Sequence, residues 1–284
     1  MVRKKGEYYM NVGICIRLQD GLWQEQLHHA TANGIHHCQL VSWLPEYWTA
    51  ETAEIIKREF AAHDMTITAF WCGWVGPKKW NFTEGPETLG IVPAAYRHIR
   101  VQNLLDGAAF ARMLGLKDVI THMGFIPENA SDPNYPGVRA AVRYLAEELK
   151  KYDQNLLFET GQETPVTLLR LIEEVGTGNL FINLDPANLI MYGKANPIDA
   201  LDVIGAYIRG VHAKDGTYPT NGNNLGPEVK VGCGKVNFPA FIQALKDHGY
   251  DGSVTIEREI KGDQQLIDIV DTKNYLENLF GALQ

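Results

Sequence analysis

The stretch NLLFETGQETPVTLLRLIEEVGTGNLFINLD (155–185) holds one complete unit of the fold. It opens on a short apolar run, NLLFET (155–160), and closes on a second, LFINLD (180–185). Between them, residues 165–175 carry helical spacing, and Pro165 suits a first helical turn, where the backbone N–H has no intrahelical partner. Near-continuous apolar runs of this length are typical of parallel strands covered by helices. Each run places an acid at its end, Glu159 and then Asp185, 26 residues apart. That is about the length of one strand–loop–helix–loop unit. The same point recurs at His212, 27 residues on, in YIRGVH (207–212), and at Glu257 in SVTIERE (253–259), after a gap of 45 residues that includes a Gly- and Asn-rich segment.

The alternation extends over the whole chain of 284 residues. Further strands are predicted near 11–17 (NVGICIR), 36–42 (HHCQLVS), 65–72 (MTITAFWC) and 118–123 (DVITHM), which with the four above makes eight. Helical spacing covers 22–33, 50–63, 94–114, 137–152, 197–205, 237–248 and 263–282. Gly115 and Gly249 each follow a helical run, as helix stops do. Eight alternating units with right-handed crossovers predict a single α/β domain over 1–284, a (β/α)8 TIM barrel.

Composition narrows the partners. Hydrophobic residues make up 45% and charged residues 21%, as in an ordinary soluble protein. The net charge of −8 speaks against a nucleic-acid backbone, which calls for a basic stripe. Cys15, Cys38, Cys72 and Cys233 form no CxxC pair and read as reduced thiols of a cytoplasmic protein. The segment MVRKKGEYYM is basic, but no apolar core of a signal peptide follows it. No apolar run reaches the ~18 residues of a membrane span. The expectation is a cytoplasmic protein with no membrane and no nucleic-acid partner.

In a closed parallel barrel the C-terminal strand ends converge on one mouth. Taken singly, an acid at a strand end is commonly a helix cap or surface ion pair, and a histidine there a satisfied core residue. Glu159, Asp185, His212 and Glu257 sit at four such ends in succession, on strands 5 to 8. Three carboxylates and one imidazole at one place cannot all be charged and unpaired. A divalent cation resolves the conflict, and this donor set suits Mn²⁺, Mg²⁺ or Co²⁺.

Glu159, Asp185 in NLDPANL, His212 in VHAKD and Glu257 in IERE together resemble the xylose-isomerase-like barrel superfamily. The segment VGCGKVNFPAFIQALKDHGYDGSVTIERE (231–259) is similar to its strand-7-to-8 region. Members include sugar-phosphate isomerases and epimerases, ketose 3-epimerases and inosose dehydratases. The resemblance implies that these four residues hold one divalent ion, Mn²⁺ first, with Mg²⁺, Co²⁺ or Zn²⁺ as alternatives. It implies that Glu159 and Glu257 also move the proton, one removing it beside a substrate carbonyl and the other returning it to the opposite face. It also implies a homo-oligomer. The ketose epimerases carry a substrate-binding histidine three positions after the aspartate ligand. Here that position is Asn188, which can donate to a sugar oxygen but supplies no charge.

Further residues are expected around the mouth. His122 in THMGF stands where the superfamily has a substrate-facing histidine; otherwise it is a core residue on a backbone carbonyl. Lys214 is read as a contact to a substrate oxygen and Asp215 as orienting a ligand, or the two as an ion pair capping strand 7. Glu259 is a weaker candidate beside Arg258, and Glu163 in GQET reads as a helix-start cap. Five of the six tryptophans, Trp43, Trp48, Trp71, Trp74 and Trp80, lie between 43 and 80. Trp71 and Trp74 are expected against the apolar faces of a sugar, the alternative being a packed lid or an oligomer interface. Gly and Pro make 73–92 an excursion from the barrel, and 215–234 reads as a long structureless loop able to cover the site.

The leading functional expectation is a metal-dependent isomerase or epimerase acting on a ketose or keto-sugar. A lyase of the same superfamily is the alternative, an inosose-type dehydratase or an enzyme cleaving 3-keto-glycosides. An apurinic endonuclease and a non-catalytic sugar-binding barrel are more remote.

Overall fold

A computed structural model describes residues 10–283 apart from Asp20. Residues 1–9 of the basic N-terminal segment read for a signal sequence lie outside the described residues. Strands β1 (Asn11–Arg17), β2 (His37–Ser42), β3 (Thr66–Cys72), β4 (Asp118–Thr121), β5 (Asn155–Glu159), β6 (Leu180–Leu184) and β7 (Ile208–Ala213) are parallel. A short antiparallel pair follows, β8 (Asp215–Gly216) with β9 (Glu228–Val229). The last barrel strand, β10 (Ser253–Ile256), pairs with both β7 and β1 and closes an eight-stranded barrel in the order β1-β10-β7-β6-β5-β4-β3-β2. This is a single (β/α)8 TIM barrel.

The crossover helices are α1 (Leu22–Ala32), α2 (Ala50–Ala62), α4 (Ala94–Met113), α5 (Tyr135–Lys150), α6 (Pro165–Val175), α8 (Pro197–Ile204), α9 (Phe238–Asp247) and α10 (Asp263–Ala282). Their apolar stripes supply the outer core, with Phe60, Phe110, Leu145, Leu171, Phe241 and Leu276 buried against the strands. Two short helices were not anticipated. One, α3 (Gly85–Thr88), lies in the 73–92 excursion; the other, α7 (Pro186–Met191), begins directly after Asp185. The sequence signal for α7 was the Asp-Pro pair, an N-cap acceptor followed by a first-turn proline.

Two loop segments bring the mouth together. The buried Arg100 of α4 donates to the carbonyls of Val75, Pro77, Thr88 and Gly90, which ties the excursion to the barrel. The segment 215–234 is not structureless, because β8 and β9 pair within it and the Asp215 carboxylate accepts from the backbone N–H of Gly216, Gly232, Gly234 and Val236. The two segments meet where Phe82 N–H donates to Asn223 O at 3.1 Å. Among the described residues, no helix is long and apolar enough to cross a membrane.

Candidate metal centre and its cavity

Strand geometry delivers the four candidate ligands to one point. Glu159 is the last residue of β5, Asp185 and Glu257 lie one past the ends of β6 and β10, and His212 is the penultimate residue of β7. One donor atom from each falls within 4.8 Å of the others. His212 Nδ1 stands 3.5 Å from Glu159 Oε1, 3.4 Å from Asp185 Oδ2 and 3.5 Å from Glu257 Oε2. Donors about 2.1 Å from one shared ion would stand roughly 3.0–3.4 Å apart. The spacing and the three-oxygen, one-nitrogen donor set therefore fit a small divalent cation.

Asp185 divides its carboxylate between two tasks. Oδ1 caps α7 by accepting the Asn188 N–H at 2.8 Å, and Oδ2 is left to face His212. Its backbone is pinned by Thr160, whose hydroxyl accepts the Asp185 N–H at 2.9 Å. The helix that the sequence reading missed is thus what orients this ligand.

The four side chains and their neighbours shift one another's ionisation strongly. Burial disfavours the charged form of every member, yet the Glu159 carboxyl falls to about 2 because the His122 and His212 imidazoles lie beside it. Burial likewise opposes ionisation of Glu257, and the Lys214 ammonium and His212 overcome it, holding Glu257 well below the usual carboxylate range. His212 is driven well above an ordinary imidazole, against its burial, by Glu159 and Glu257. Asp185, fully enclosed, is pushed up by burial despite Lys214 and His212. A cation bound here would replace the proton on His212, since a ligating imidazole nitrogen must be deprotonated.

Above the cluster is a cavity of about 200 Å³. One wall is aromatic: Trp43, Trp71, Trp80 and His122. The other is charged: Arg17, Lys214, Glu257 and Glu259. Another cavity, of about 50 Å³, lies between α1 and α10 outside the barrel mouth. It adjoins none of the three carboxylates, so the mouth cavity is the functional candidate.

The matches to known proteins follow this geometry. A family model described as the xylose isomerase-like TIM barrel matches residues 27–278. The chain belongs to that family. A solved xylose isomerase domain protein from Planctomyces limnophilus is 31% identical, with a TM-score of 0.89 over 96% of this chain and 97% of that one. An uncharacterized protein of Methanocaldococcus jannaschii is 30% identical over 175 residues, covering 57% of this chain but only 58% of that relative's length. A putative hydroxypyruvate isomerase of Homo sapiens is 26% identical over 198 residues, 63% of this chain and 67% of that one. An L-ribulose 3-epimerase structure, 18% identical with a TM-score of 0.73 over 96% and 95% of the two chains, shares the fold.

Within this family member, the other expected site residues fall in different places. His122 is buried in the cavity wall with Nε2 3.4 Å from Glu159 Oε1; its Nδ1 meets no hydrogen-bond partner among the described residues. Asn188 Nδ2 donates to Glu159 Oε1 at 3.3 Å. Lys214, only 4% exposed, lies 3.0 Å from Glu257 Oε2 and 2.9 Å from Glu259 Oε2. Trp71 lines the cavity, but its indole N–H donates to Glu159 Oε2, so the side chain both forms a wall and holds a carboxylate.

Several expectations need correction. Trp74 is not a cavity residue: it is 1% exposed, packs against Trp43 and Trp80, and lies under the Arg100 guanidinium. Asp215 orients no ligand, because its carboxylate is consumed by four backbone N–H groups. Glu163 is not the cap of α6; Thr164 accepts the Thr167 N–H there. Glu163 is instead buried, with Oε2 lacking a partner among the described residues, and burial lifts its carboxyl to about 8. Arg258 turns away to Glu228 and Asp268.

The sequence reading also missed residues. Met191, Tyr192 and Leu225 line the cavity from α7 and the loop beyond β8. Gln39 and Asn183, completely enclosed in the barrel interior, contact His212 from behind. Their signal was present: each is a lone amide in an apolar parallel strand, HCQLVS and LFINL, where an interior polar group must find a partner.

Proposed function

We propose that this chain is a divalent-metal-dependent isomerase or epimerase that shifts a proton next to the carbonyl of a ketose or keto-sugar. The observation that carries this reading is the convergence of Glu159 and Glu257 on one ion-sized site beneath a small, half-aromatic cavity. Glu159, Asp185, His212 and Glu257 would hold the ion, Mn²⁺ first, with Mg²⁺, Co²⁺ or Zn²⁺ also suited to the donors. When bound, such an ion polarises a carbonyl and its neighbouring hydroxyl.

The protein's own residues do the rest. Glu159 and Glu257 come from strands at the two ends of the β5-β6-β7-β10 arc, so they approach a substrate from different sides. One takes the proton from the carbon beside the carbonyl, and the other returns a proton to the opposite face or to the neighbouring carbon. The first outcome is epimerisation and the second isomerisation. His122, Asn188 and Lys214 donate to substrate oxygens. Trp43 and Trp71 cover the apolar C–H face of the sugar, and the paired loops exclude water. The names of relatives, a putative hydroxypyruvate isomerase and an L-ribulose 3-epimerase, support the same class. The aromatic wall supports a second reading, elimination from a 3-keto-glycoside or an inosose, because indole faces also suit a flat aglycone.

One experiment separates these readings. Protein loaded with Mn²⁺ is incubated in D₂O with free ketoses, inososes and 3-keto-glycosides, quenched with chelator and studied by NMR. The expected result is deuterium beside the carbonyl with an inverted stereocentre or a moved carbonyl. Loss of water or aglycone would transfer the assignment to the lyase. No exchange with any compound, in protein shown to hold its metal, would sink the proposed substrate class.

A further inference from the structure

The inner layer of the barrel holds a buried amide pair that the proposed chemistry does not use. Gln39 of β2 and Asn183 of β6 reach across the interior, and Gln39 Nε2 donates to Asn183 Oδ1 at 2.8 Å. Both side chains are buried, at 2% and 0% exposure. The space for them comes from Gly210 of β7, where a Cβ would stand 2.2 Å from Asn183 Oδ1. Such a pair is costly in a barrel core unless its remaining valences are met. Both amides turn to one atom, His212 Nε2, which lies 2.8 Å from the acceptor Gln39 Oε1 and 3.1 Å from the donor Asn183 Nδ2 and can serve only one of them. The opposite ring nitrogen, Nδ1, faces the three carboxylates.

We propose that Gln39 is the positioning residue that sets the His212 tautomer: its Oε1 accepts the Nε2–H and so leaves the Nδ1 lone pair directed at the metal centre. This rests on reading His212 as a metal ligand. A neutral imidazole carries one N–H. If that hydrogen sat on Nδ1, the nitrogen could not ligate, and Gln39 Oε1 would face a lone pair at 2.8 Å. With the hydrogen on Nε2, the shorter of its two amide contacts, to Gln39 Oε1, is satisfied and Nδ1 is free, while Asn183 Nδ2 gives up the ring as an acceptor. Since Gln39 Nε2 is already spent on Asn183, the amide presents its oxygen to the ring. Asn183 acts one step further out, by holding the Gln39 amide in that orientation. A second partner that fixes the tautomer of a ligating histidine is a general requirement of such sites.

The test is calorimetric titration with Mn²⁺ of the wild type, Gln39→Met and Gln39→Glu, with the melting temperature of each metal-free protein as a folding control. Methionine keeps the volume and removes the acceptor; glutamate keeps an acceptor. Gln39→Met is expected to weaken Mn²⁺ binding by roughly 10- to 100-fold, and Gln39→Glu to restore it to within about threefold of wild type. Nitrogen-15 NMR of histidine-labelled protein loaded with Mg²⁺ should show His212 protonated at Nε2 in the wild type and in Gln39→Glu. Mn²⁺ binding by Gln39→Met equal to wild type would overturn the proposal, as would equal losses in both variants, which would mark Gln39 as packing alone. No Mn²⁺ binding by the wild type would remove the ligand reading itself and this inference with it.

Discussion

The two walls of the cavity hold the same residue type by different means. On the aromatic side, Glu159 is gripped by the Trp71 indole N–H, approached by His122 and bonded by Asn188, and it is 2% exposed. On the charged side, Glu257 faces the Lys214 ammonium at 3.0 Å, with Glu259 sharing the same ammonium. Both carboxyls are held low, but Glu159 owes this to imidazoles and Glu257 first to an ammonium. Donors on the aromatic side are directional and rigid, so they fix where the oxygens point. An ammonium on a flexible stem supplies charge with little orientation. Two groups that look interchangeable in sequence are therefore inequivalent in the fold: the aromatic wall fixes both the orientation and the charge of Glu159, and the charged wall holds Glu257 chiefly through charge.

The largest effects should come from the carboxylates themselves. Glu159→Gln and Glu257→Gln are each expected to lower turnover by roughly 10²- to 10⁴-fold, read as kcat on the substrate found in D₂O. Asp185→Asn, which leaves both of them in place, should instead abolish tight Mn²⁺ binding by calorimetry. Wild-type turnover in either glutamine variant would break the comparison, because only one wall would then contribute to the chemistry.

Trp71 sharpens the comparison at intermediate scale. Trp71→Phe keeps a ring in the wall and deletes the N–H to Glu159. Losing a hydrogen bond to a charged group costs about 1.5–3 kcal/mol, so kcat should fall by roughly 10- to 100-fold with KM little changed. Trp43→Ala, which removes only wall, should raise KM and spare kcat. Equal KM effects in both variants would mean that Trp71 is merely a surface for substrate.

The smallest effect concerns the buried Glu163, which interacts electrostatically with His122. Burial raises its folded-state carboxyl to about 8 from an ordinary 4.5. A group raised on folding favours the fold fully below its unfolded value, and that contribution declines as pH climbs from about 4.5 through 8. Glu163→Gln has no carboxyl to ionise. Its melting temperature should therefore rise relative to wild type by a few degrees between pH 5 and pH 9. A difference that does not change with pH would show that Glu163 is already ionised in the fold.

Much of the barrel could be read from the chain. The eight strands and eight crossover helices lie within a few residues of their expected positions, because apolar strand runs and helical spacing are local patterns. The excursion at 73–92 was legible from its glycines and prolines, but α3 within it was not, and α7 offered only its Asp-Pro start, since short helices depend on caps and tertiary support more than on periodicity. The convergence of Glu159, Asp185, His212 and Glu257 followed from barrel closure alone. Trp74 was misplaced because a sequence does not say which ring of a cluster faces inward. Asp215 and Glu163 were misread because backbone N–H groups and burial, both non-local, decide what an acid does.

What the sequence determined by itself was the list of chemical groups and the strand ends that carry them. Strand period and crossover handedness leave few other ways to arrange eight such units. Which oxygen of Asp185 is free, which nitrogen of His212 faces the carboxylates, and which glutamate meets an ammonium were decided by the tertiary structure. These are orientations of a few tenths of an ångström to a few ångströms, set by partners up to 173 residues away in the chain, as Gln39 is from His212. Close packing in the barrel interior makes those orientations single-valued, and no local pattern along the chain encodes them.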